Sequence, residues 1–470
     1  MSAASDHGDT SLEQPAVASA SCPLTPRQQT RNLLIYAGNW SLIYLASPAT
    51  YVGLVHATLL KKLGFSDAVS NLPAGVYLWA TPLPVLVAWL FPQVRQLKPL
   101  LMTAFLAVGS MGALATAAIL LLGPAWVLAA QIVSAAVLGC SLGVIATCQW
   151  EMLGRGVSES RRGQALAVAF GAGPLLAVVA SLGSQLVLGG KTEGIELPFT
   201  FPAIEYPWSF ALLFGSSVPI MGLAALLSSR FLVPLPKVEI PCQPFTSGVL
   251  GGIGQYFSNR LILIAASAYI LAYAGHEILQ NISLYTQEAL GESPEKYAGF
   301  QLTLRFGFKI VAGFSLGWLL VRTNPKVLLI VTALLTLASV AWALGVPGKW
   351  FLVSFGILGA GELFGVYYPN YILGCSPKSK MRRNMAFTSL IIMPVGFAPI
   401  LYGFISDTFG VHNKTFGFQI SFVAAMAVLV AAILLVLIAL PAQPRPRQED
   451  MDASDQATGA RKYQKEGVPA

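Results

Sequence analysis

Charged residues are scarce in this chain. Asp, Glu, Lys and Arg together make up 11% of its 470 residues, whereas soluble domains carry about 25%. Hydrophobic residues make up 55%, and the mean hydropathy is +0.65. This composition excludes an ordinary soluble domain, and apolar windows of roughly 20 residues, long enough to cross a bilayer, recur along the chain. We therefore expect an all-α polytopic membrane protein, because a membrane barrel would show alternating strands of about ten residues.

Cysteine and histidine are also rare, with five and four copies. The spacing of the cysteines indicates neither a disulfide framework nor a metal site. The sequence also lacks His-Glu-x-x-His and an aspartyl dyad, which would indicate a membrane enzyme, and its two Gly-x-Ser-x-Gly stretches, 139–143 and 313–317, lie inside apolar windows and not at a strand-to-helix turn. We expect no enzymatic activity, no metal and no cofactor.

Twelve apolar windows predict twelve transmembrane helices. They lie near 33–59, 70–91, 99–122, 125–149, 164–189, 207–229, 261–286, 297–320, 326–346, 351–374, 385–406 and 416–440. Residues 1–31 and 441–470 are polar and lack any apolar period, so we predict disordered tails. Residues 230–260 form a predicted central loop between two halves, 32–229 and 261–440.

Basic residues concentrate in every second loop. One set of loops holds Arg95, Lys98, Arg155, Arg161, Arg162, Arg230, Lys237, Arg260, Arg322, Lys326, Lys378, Lys380, Arg382 and Arg383. The other set holds only Lys61, Lys62, Lys191, Lys296, Lys349 and Lys414. The positive-inside rule then predicts that both termini are cytoplasmic, in a bacterial inner membrane or a plasma membrane. The net charge of +8 is a topology signal, so the expected partner is the lipid bilayer and not nucleic acid.

Two stretches recur in both halves of the chain. Residues 60–101 align with 286–329, with a Leu-Gly pair and a cytoplasmic arginine at matching positions. Residues 150–174 and 370–399 each combine Leu-Gly, a basic loop and Gly-x-x-Pro. These repeats indicate a duplication of six helices.

With this layout the sequence resembles the major facilitator superfamily over residues 32–440. The resemblance rests on the six-plus-six arrangement, the loop RFLVPLPKVEIPCQPFTSGVLGGIGQYFSNR between the halves, basic loops after spans 2 and 8, and the ending PILYGFISDTFG. It implies two pseudo-symmetric six-helix halves and secondary active transport by alternating access. "GAGP" in span 5 partly resembles an exporter motif, so export of amphipathic or drug-like compounds is an alternative. A transport-inactive sensor or scaffold of this fold is another.

The resemblance also implies a cytoplasmic gate. In the superfamily the loop between spans 2 and 3 usually reads Gly-x-x-x-Asp-x-x-Gly-Arg-Lys, and its Asp and Arg latch that gate. Here WLFPQVRQLKPLL and GWLLVRTNPKVLL lack the Asp and keep Arg95, Lys98, Arg322 and Lys326. Glu151 at the end of span 4 either replaces the missing partner of Arg95 or Arg322, or pairs with Arg155 one helical turn away.

Ionisable residues inside the predicted spans mark the candidate site, because a charge at bilayer depth costs roughly 2.5 kcal/mol or more. These residues and their polar neighbours are His276, Glu277, Gln280 and Asn281 in span 7, Gln301, Arg305 and Lys309 in span 8, and Glu362 in span 10. We expect them to face inward and to converge on a cavity in the C-terminal half. The N-terminal half is expected to supply no buried charge, only Asn39, Ser41, Tyr44 and Gln131 with Trp40, Tyr77 and Trp79 as aromatic lining.

Two interpretations of the intramembrane cations follow. Arg305 and Lys309 either neutralise Glu277 and Glu362 as buried pairs that fix helix registry, or they bind an anionic group of the substrate while a carboxylate carries a proton. The second interpretation predicts a symporter that binds protons and a small-molecule substrate, and this substrate is an organic anion. We expect the protein to be a monomer. Protonation of one carboxylate would leave a net positive cavity, so that proton and anion binding reinforce each other.

Overall fold

The computed structural model describes residues 24–190, 202, 204–235, 250–375 and 387–444. All regular secondary structure in these ranges is helical. The tails before 24 and after 444, most of the central loop, and the basic loop that contains Lys378, Lys380, Arg382 and Arg383 lie outside the described residues, as do Lys191 and Lys237.

The N-terminal half is built from α1 to α9. These are α1 (Pro26–Leu45), α2 (Ser47–Thr50), α3 (Leu54–Lys62), α4 (Asp67–Ala80), α5 (Pro84–Leu90), α6 (Leu97–Leu121), α7 (Pro124–Gly156), α8 (Glu159–Gly189) and α9 (Trp208–Ser228). A 3₁₀ turn, Val94–Gln96, leads into α6.

The C-terminal half follows α10 (Gly251–Phe257), which lies in the central loop. Its helices are α11 (Arg260–His276), α12 (Leu279–Leu284), α13 (Thr286–Leu290), α14 (Ala298–Arg322), α15 (Pro325–Gly345), α16 (Val353–Gly361), α17 (Phe364–Gly374), α18 (Phe397–Phe409) and α19 (Lys414–Ala439). Shorter 3₁₀ turns cover Pro294–Lys296, Gly348–Leu352 and Met393–Gly396.

The predicted set of twelve spans is present. Ten segments of the described chain are long and apolar enough to cross a membrane. The other two predicted spans are broken into shorter helices, since α1 to α3 together form the first span and α4 with α5 forms the second. The protein is therefore an all-α polytopic membrane protein with two sets of six spans.

Local backbone chemistry explains these breaks. Gly53 has a φ of 144°, a conformation that glycine adopts readily and other residues do not. A Cβ atom at this position would lie 3.0 Å from Gln280 Nε2, so a side chain here would also crowd Gln280. In the second span, Pro82 and Pro84 interrupt the helix because proline lacks a backbone N–H.

Two spans of the C-terminal half break as well. The end of α11 at His276 and the start of α12 at Leu279 leave Glu277 between two helices. Likewise, α16 ends at Gly361 and α17 begins at Phe364, with Glu362 in the gap. Non-helical backbone at bilayer depth is tolerated where it is buried in protein or lines a cavity. The breaks therefore place both carboxylates where such a cavity is expected.

The two halves meet along two helix pairs, α4 with α18 and α8 with α14. Glycines bring the backbones close together in both. A Cβ atom on Gly75 would lie 2.5 Å from the carbonyl oxygen of Gly396, and one on Gly299 would lie 2.3 Å from the amide nitrogen of Gln185. Small residues of this kind are typical of tight helix packing in membranes.

The bundle has two distinct ends. We call the end that holds the start of α1 and the end of α19 the terminal end. The opposite end, where α3 meets α4 and α18 meets α19, is the loop end. Contacts support this division, since Arg161 donates to the carbonyl of Pro26 at the terminal end, whereas Lys62 contacts Glu295 at the loop end.

The first helix begins earlier than the sequence analysis predicted. It starts at Pro26, so residues 26–31 are helical and do not belong to a tail. Thr25 and Gln28 form a capping box at its start, a pattern that satisfies two backbone donors. Asn32 further fixes this segment, because it donates to the carbonyls of Gly156 and Leu232 at 3.0 and 2.8 Å.

Candidate functional site

A cavity of about 310 Å³ lies between the two halves. The C-terminal half supplies all the charged residues that line it, which are Glu277, Arg305, Lys309 and Glu362. The N-terminal half contributes Tyr51, Val52, Ala74, Tyr77 and Leu78. Ligand sites in proteins commonly have volumes from about 300 Å³ upward, so this cavity suits a small molecule.

Glu362 binds both intramembrane cations. Its Oε2 accepts a hydrogen bond from Arg305 Nε at 2.8 Å, and its Oε1 lies 3.0 Å from Lys309 Nζ. Arg305 is only 4% exposed. The two cations lie one turn apart on α14, and the break at Glu362 in span 10 presents the carboxylate to both. We name this group the cavity network.

Tyr51 completes the cavity network from the other half. Its hydroxyl donates to Glu362 Oε1, and the Arg305 guanidinium lies 4.7 Å from the centre of its ring. Sequence reasoning missed Tyr51, since it is one of 15 tyrosines. The one available signal is its position two residues before Gly53, where the first span breaks.

Glu277 has no cation partner among the described residues. Its one side-chain hydrogen bond in that part of the chain comes from Gln280 Nε2 at 3.1 Å. The interpretation in which Arg305 and Lys309 neutralise both carboxylates is therefore wrong for Glu277 in this structure, because both cations contact Glu362. The rotation of each helix about its axis determines which carboxylate the two cations contact. The spacing of the residues in the sequence does not predict that choice.

His276 also lines the cavity and is 2% exposed. Its ring packs edge-on against Phe364 and Tyr273. Neither ring nitrogen has a hydrogen-bond partner among the described residues. The imidazole is thus a buried polar group whose donor and acceptor are both unused by the protein.

The predicted site residues that do not line the cavity are Asn281, Gln301, Asn39, Ser41, Tyr44, Gln131, Trp40 and Trp79. Asn281 donates to the Tyr402 carbonyl at 2.8 Å and accepts from Asn71 at 2.6 Å, so it joins the two halves. Gln301 is held by Ser283 and Thr286, each at 2.8 Å, and Asn39 donates to Ser228 at 3.0 Å. Asn281, Gln301 and Asn39 are all buried and form hydrogen bonds within the protein.

The N-terminal half does contain a buried charge, contrary to the sequence-based expectation. Asp67, the first residue of α4, is 0% exposed. Its carboxylate lies 2.5 Å from Lys61 Nζ and 2.6 Å from Lys414 Nζ, and it accepts a hydrogen bond from Ser406 at 2.9 Å. Sequence reasoning placed Asp67 in a loop, because its partners at 406 and 414 are remote in the chain.

Asp407 extends this group. Its carboxylate accepts from the backbone amides of Asp67 and Ala68 at 3.1 and 2.9 Å, which is the favourable position for an anion at a helix N-terminus. Lys414 Nζ lies 3.0 Å away. Lys61, Asp67, Ser406, Asp407 and Lys414 form what we call the loop-end network.

At the terminal end, the structure supports the local pairing of Glu151. Its Oε1 lies 2.9 Å from Arg155 on the same helix, as in the second alternative of the sequence analysis. Arg95 lies in the 3₁₀ turn Val94–Gln96, and Lys98 lies in the first turn of α6.

The matching cations of the C-terminal half make other contacts. The Arg322 guanidinium lies 4.4 Å from the centre of the Trp318 ring. Lys326 Nζ donates to the carbonyl of Leu437 at 2.9 Å, near the end of α19. A role in a gate stays a prediction for all of these residues.

Comparison with solved structures identifies the fold. A mutant of the nucleoside transporter NupG has 12% identity and a TM-score of 0.63, with 87% of this chain and 99% of that chain covered. A bacterial homologue of the human lysosomal transporter Spinster, inward-facing and unoccupied, has 15% identity and a TM-score of 0.62 over 88% and 98%. A mutant of the E. coli fucose:proton symporter FucP has 17% identity and a TM-score of 0.57 over 87% and 99%.

The chain thus has the fold of the major facilitator superfamily, as the sequence resemblance predicted. Neither a protein-family model nor a curated protein matches the sequence.

Proposed function

We propose that this protein is a secondary active transporter that moves a small organic anion together with protons by alternating access. The observation that carries the proposal is the cavity between the halves, where the carboxylate of Glu362 at a helix break contacts two cations on α14. Intramembrane ionisable groups of this kind are functional by default. The proteins of similar fold are named as transporters of nucleosides, fucose and peptides, and a transport role fits the site.

The contacts between the halves support alternating access. Two ion pairs that cross from one half to the other, Lys62 with Glu295 and Asp67 with Lys414, lie at the loop end. At the terminal end, Asn32 bonds within the N-terminal half and Tyr256 with Thr388 within the C-terminal half. We interpret this as a state closed at the loop end, which must open when the protein cycles.

Proton coupling is assigned to Glu277. With this residue ionised, the cavity holds two cations and two carboxylates, which balance. Protonation of Glu277 leaves Arg305, Lys309 and Glu362 with one net positive charge. Proton binding and anion binding then reinforce each other, which is the thermodynamic requirement for symport.

Arg305 and Lys309 retain donors for the anion. Arg305 donates a hydrogen bond from Nε to Glu362. Its two terminal nitrogens have no hydrogen-bond partner among the described residues. A guanidinium fork suits a carboxylate geometrically. The Lys309 ammonium has three donors, one of which faces Glu362.

The asymmetry of basic loops supports a cytoplasmic location of both termini, in a bacterial inner membrane or a plasma membrane. The terminal end then faces the cytoplasm, and the loop end, which we interpret as closed, faces the opposite side. Cysteine labelling at positions 378 and 191 tests this topology, because the two should be reached from opposite faces. Finding both on one face would rule out the twelve-span arrangement.

Transport can be tested before the substrate is known. Proteoliposomes with an imposed pH gradient are given a mixture of organic acids, amines and neutral sugars, and uptake is read by mass spectrometry. We expect at least one acid to accumulate when the gradient is present and not when it is collapsed. If no compound accumulates beyond the level in protein-free liposomes, the proposed function is wrong.

A further inference from the structure

The cavity contains more neutral hydrogen-bonding groups than the protein itself uses. Beside the unpaired His276, the side-chain oxygen of Gln280 is buried and has no partner among the described residues. Both residues line the cavity. The hydroxyls of Tyr77 and Tyr273, which also line it, make no hydrogen bond with any described residue.

Unpaired polar groups at a binding site carry information about the ligand. A buried donor or acceptor without a partner is unfavourable by about 1–3 kcal/mol. A ligand that pairs with these groups removes that penalty, whereas an apolar ligand leaves it in place. Sites built to hydrogen-bond a hydroxyl therefore reject analogues that lack it.

The hydrogen-bonding chemistry of Gln280, His276, Tyr77 and Tyr273 restricts the class of possible ligands further. Gln280 Oε1 only accepts, a neutral imidazole donates once and accepts once, and a tyrosine hydroxyl does both. Hydroxyl groups are the ligand atoms that satisfy this mixture, since each of them also donates and accepts. An ammonium group would pair with Glu277 and Gln280 Oε1 but has no acceptor for the donors of His276, Tyr77 and Tyr273.

The aromatic walls fit the same kind of molecule. Tyr269, Tyr273 and Phe364 line the cavity and lie in contact with one another, with ring centres 5.0 to 6.0 Å apart. Such a surface covers the C–H groups of a hydroxylated carbon chain. The volume of about 310 Å³ is at the small end for ligand sites.

We propose, resting on the transport function above, that the substrate is a polyhydroxylated carboxylate of the size of a sugar acid. Its carboxylate binds the free donors of Arg305 and Lys309. Its hydroxyls bind Gln280, His276 and the tyrosine hydroxyls on the opposite side. The same site discriminates against unsubstituted fatty acids, neutral polyols and amino acids.

A matched set of probes tests this proposal on the purified full-length protein. Gluconate carries the carboxylate and the hydroxyls, hexanoate lacks the hydroxyls, sorbitol lacks the carboxylate, and 6-aminohexanoate replaces the hydroxyls by one amine. Binding is read from the concentration dependence of the thermal shift. We expect gluconate to bind about tenfold or more tightly than each of the other three.

Two variants locate the hydroxyl recognition. Tyr273→Phe removes one hydroxyl with little change in shape, and Gln280→Leu removes the amide. Each should reduce the preference for gluconate over hexanoate several-fold. Gln149→Leu is the control, because Gln149 is buried with an unpartnered amide but does not line the cavity. It should leave the preference unchanged. Tyr273→Phe keeps the test valid if Gln280→Leu does not fold.

The outcomes separate the substrate class from the transport function. If hexanoate or 6-aminohexanoate binds as tightly as gluconate, or if none of the probes binds, the polyhydroxylated class is overturned. Proton-driven uptake of another acid would leave the transport proposal intact. If gluconate binds with the expected preference but a pH gradient drives no uptake of any acid, the binding class stands and the transport proposal falls.

Discussion

The two buried ion networks of this molecule make an instructive comparison. Both contain two cations, both join the N-terminal and C-terminal halves, and both are largely shielded from solvent. In the loop-end network, Asp67 contacts Lys61, Lys414 and Ser406 within 2.9 Å, and Asp407 caps α4. In the cavity network, one carboxylate serves both cations, and donors of Arg305 remain unused.

Under the proposed function, the difference separates a contact that holds the two halves together from a site that binds a ligand. A network whose groups are satisfied by the protein holds two surfaces together, and it has no chemistry left for a ligand. A network with unused hydrogen-bond donors beside a cavity can form further hydrogen bonds with a ligand. Fold alone does not separate the two roles, because both lie between the same two halves.

The largest expected effect tests the cavity network. Arg305→Gln should reduce proton-driven uptake by at least about 100-fold, because truncating one partner of a buried charged pair costs about 2–5 kcal/mol. Lys309 still contacts Glu362 in this variant, so the protein should remain folded. Uptake into proteoliposomes and thermal unfolding measure the two properties separately.

A double variant distinguishes a ligand role from a purely structural one. Arg305→Gln with Glu362→Gln removes both members of this pair but also takes the carboxylate away from Lys309, so uptake and not stability is the informative readout. Uptake should stay lost if Arg305 serves the anion. Full uptake in the double variant would mean that the pair only fixes helix registry.

The next largest effect concerns the loop-end network. Asp67→Asn leaves Lys61 and Lys414 without their shared carboxylate, and breaking a buried pair in this way costs about 3–5 kcal/mol. We expect the loop end to open more often while ligand binding is retained. Zero-length crosslinking of Lys62 to Glu295, which lie 2.6 Å apart across the halves, should fall.

The chain supplies an internal control for that measurement. Lys296 and Glu292 also form an ion pair, at 3.2 Å, but within the C-terminal half. Their crosslink should be unchanged in Asp67→Asn. An unchanged Lys62 to Glu295 yield would show that Asp67 does not hold the halves together.

Glu277→Gln is expected to change the rate of substrate exchange less than the variants above. It should, however, abolish the coupling of transport to protons. Glutamine keeps the shape of the side chain but cannot take up a proton. The variant should exchange substrate across the membrane within a few-fold of the normal rate and fail to accumulate it under a pH gradient. Glu292→Gln, a change at a partly exposed carboxylate, should accumulate normally. Accumulation by Glu277→Gln would place the coupling group elsewhere.

The smallest effect is expected for the exposed pair at the loop end. Lys296 and Glu292 are 55% and 41% exposed, and exposed ion pairs contribute about 0–1 kcal/mol. Lys296→Gln should change neither uptake nor the unfolding temperature measurably. A marked loss of either would show that surface charge, and not burial, decides the behaviour of these networks.

The sequence predicted the twelve spans and the charged lining of the cavity because charges are rare in apolar helices. Arg305, Lys309, Glu277 and Glu362 stood out for that reason. The partner of each charge could not be predicted, since it depends on the rotation of helices and on breaks at Glu277 and Glu362. Asp67 was not recognised as buried, because a carboxylate near a turn is usually solvated and its partners lie in the other half.

Sided labelling of one cavity residue tests the central claim most directly. Val366 lines the cavity and is half exposed, and Val366→Cys in a cysteine-free background can be probed with a membrane-impermeant thiol reagent. We predict labelling from the side of the termini only, and labelling from both sides once Asp67→Asn weakens the loop end. Labelling of the parent protein from the loop side, or no change with Asp67→Asn, would contradict a cavity that opens alternately to the two sides.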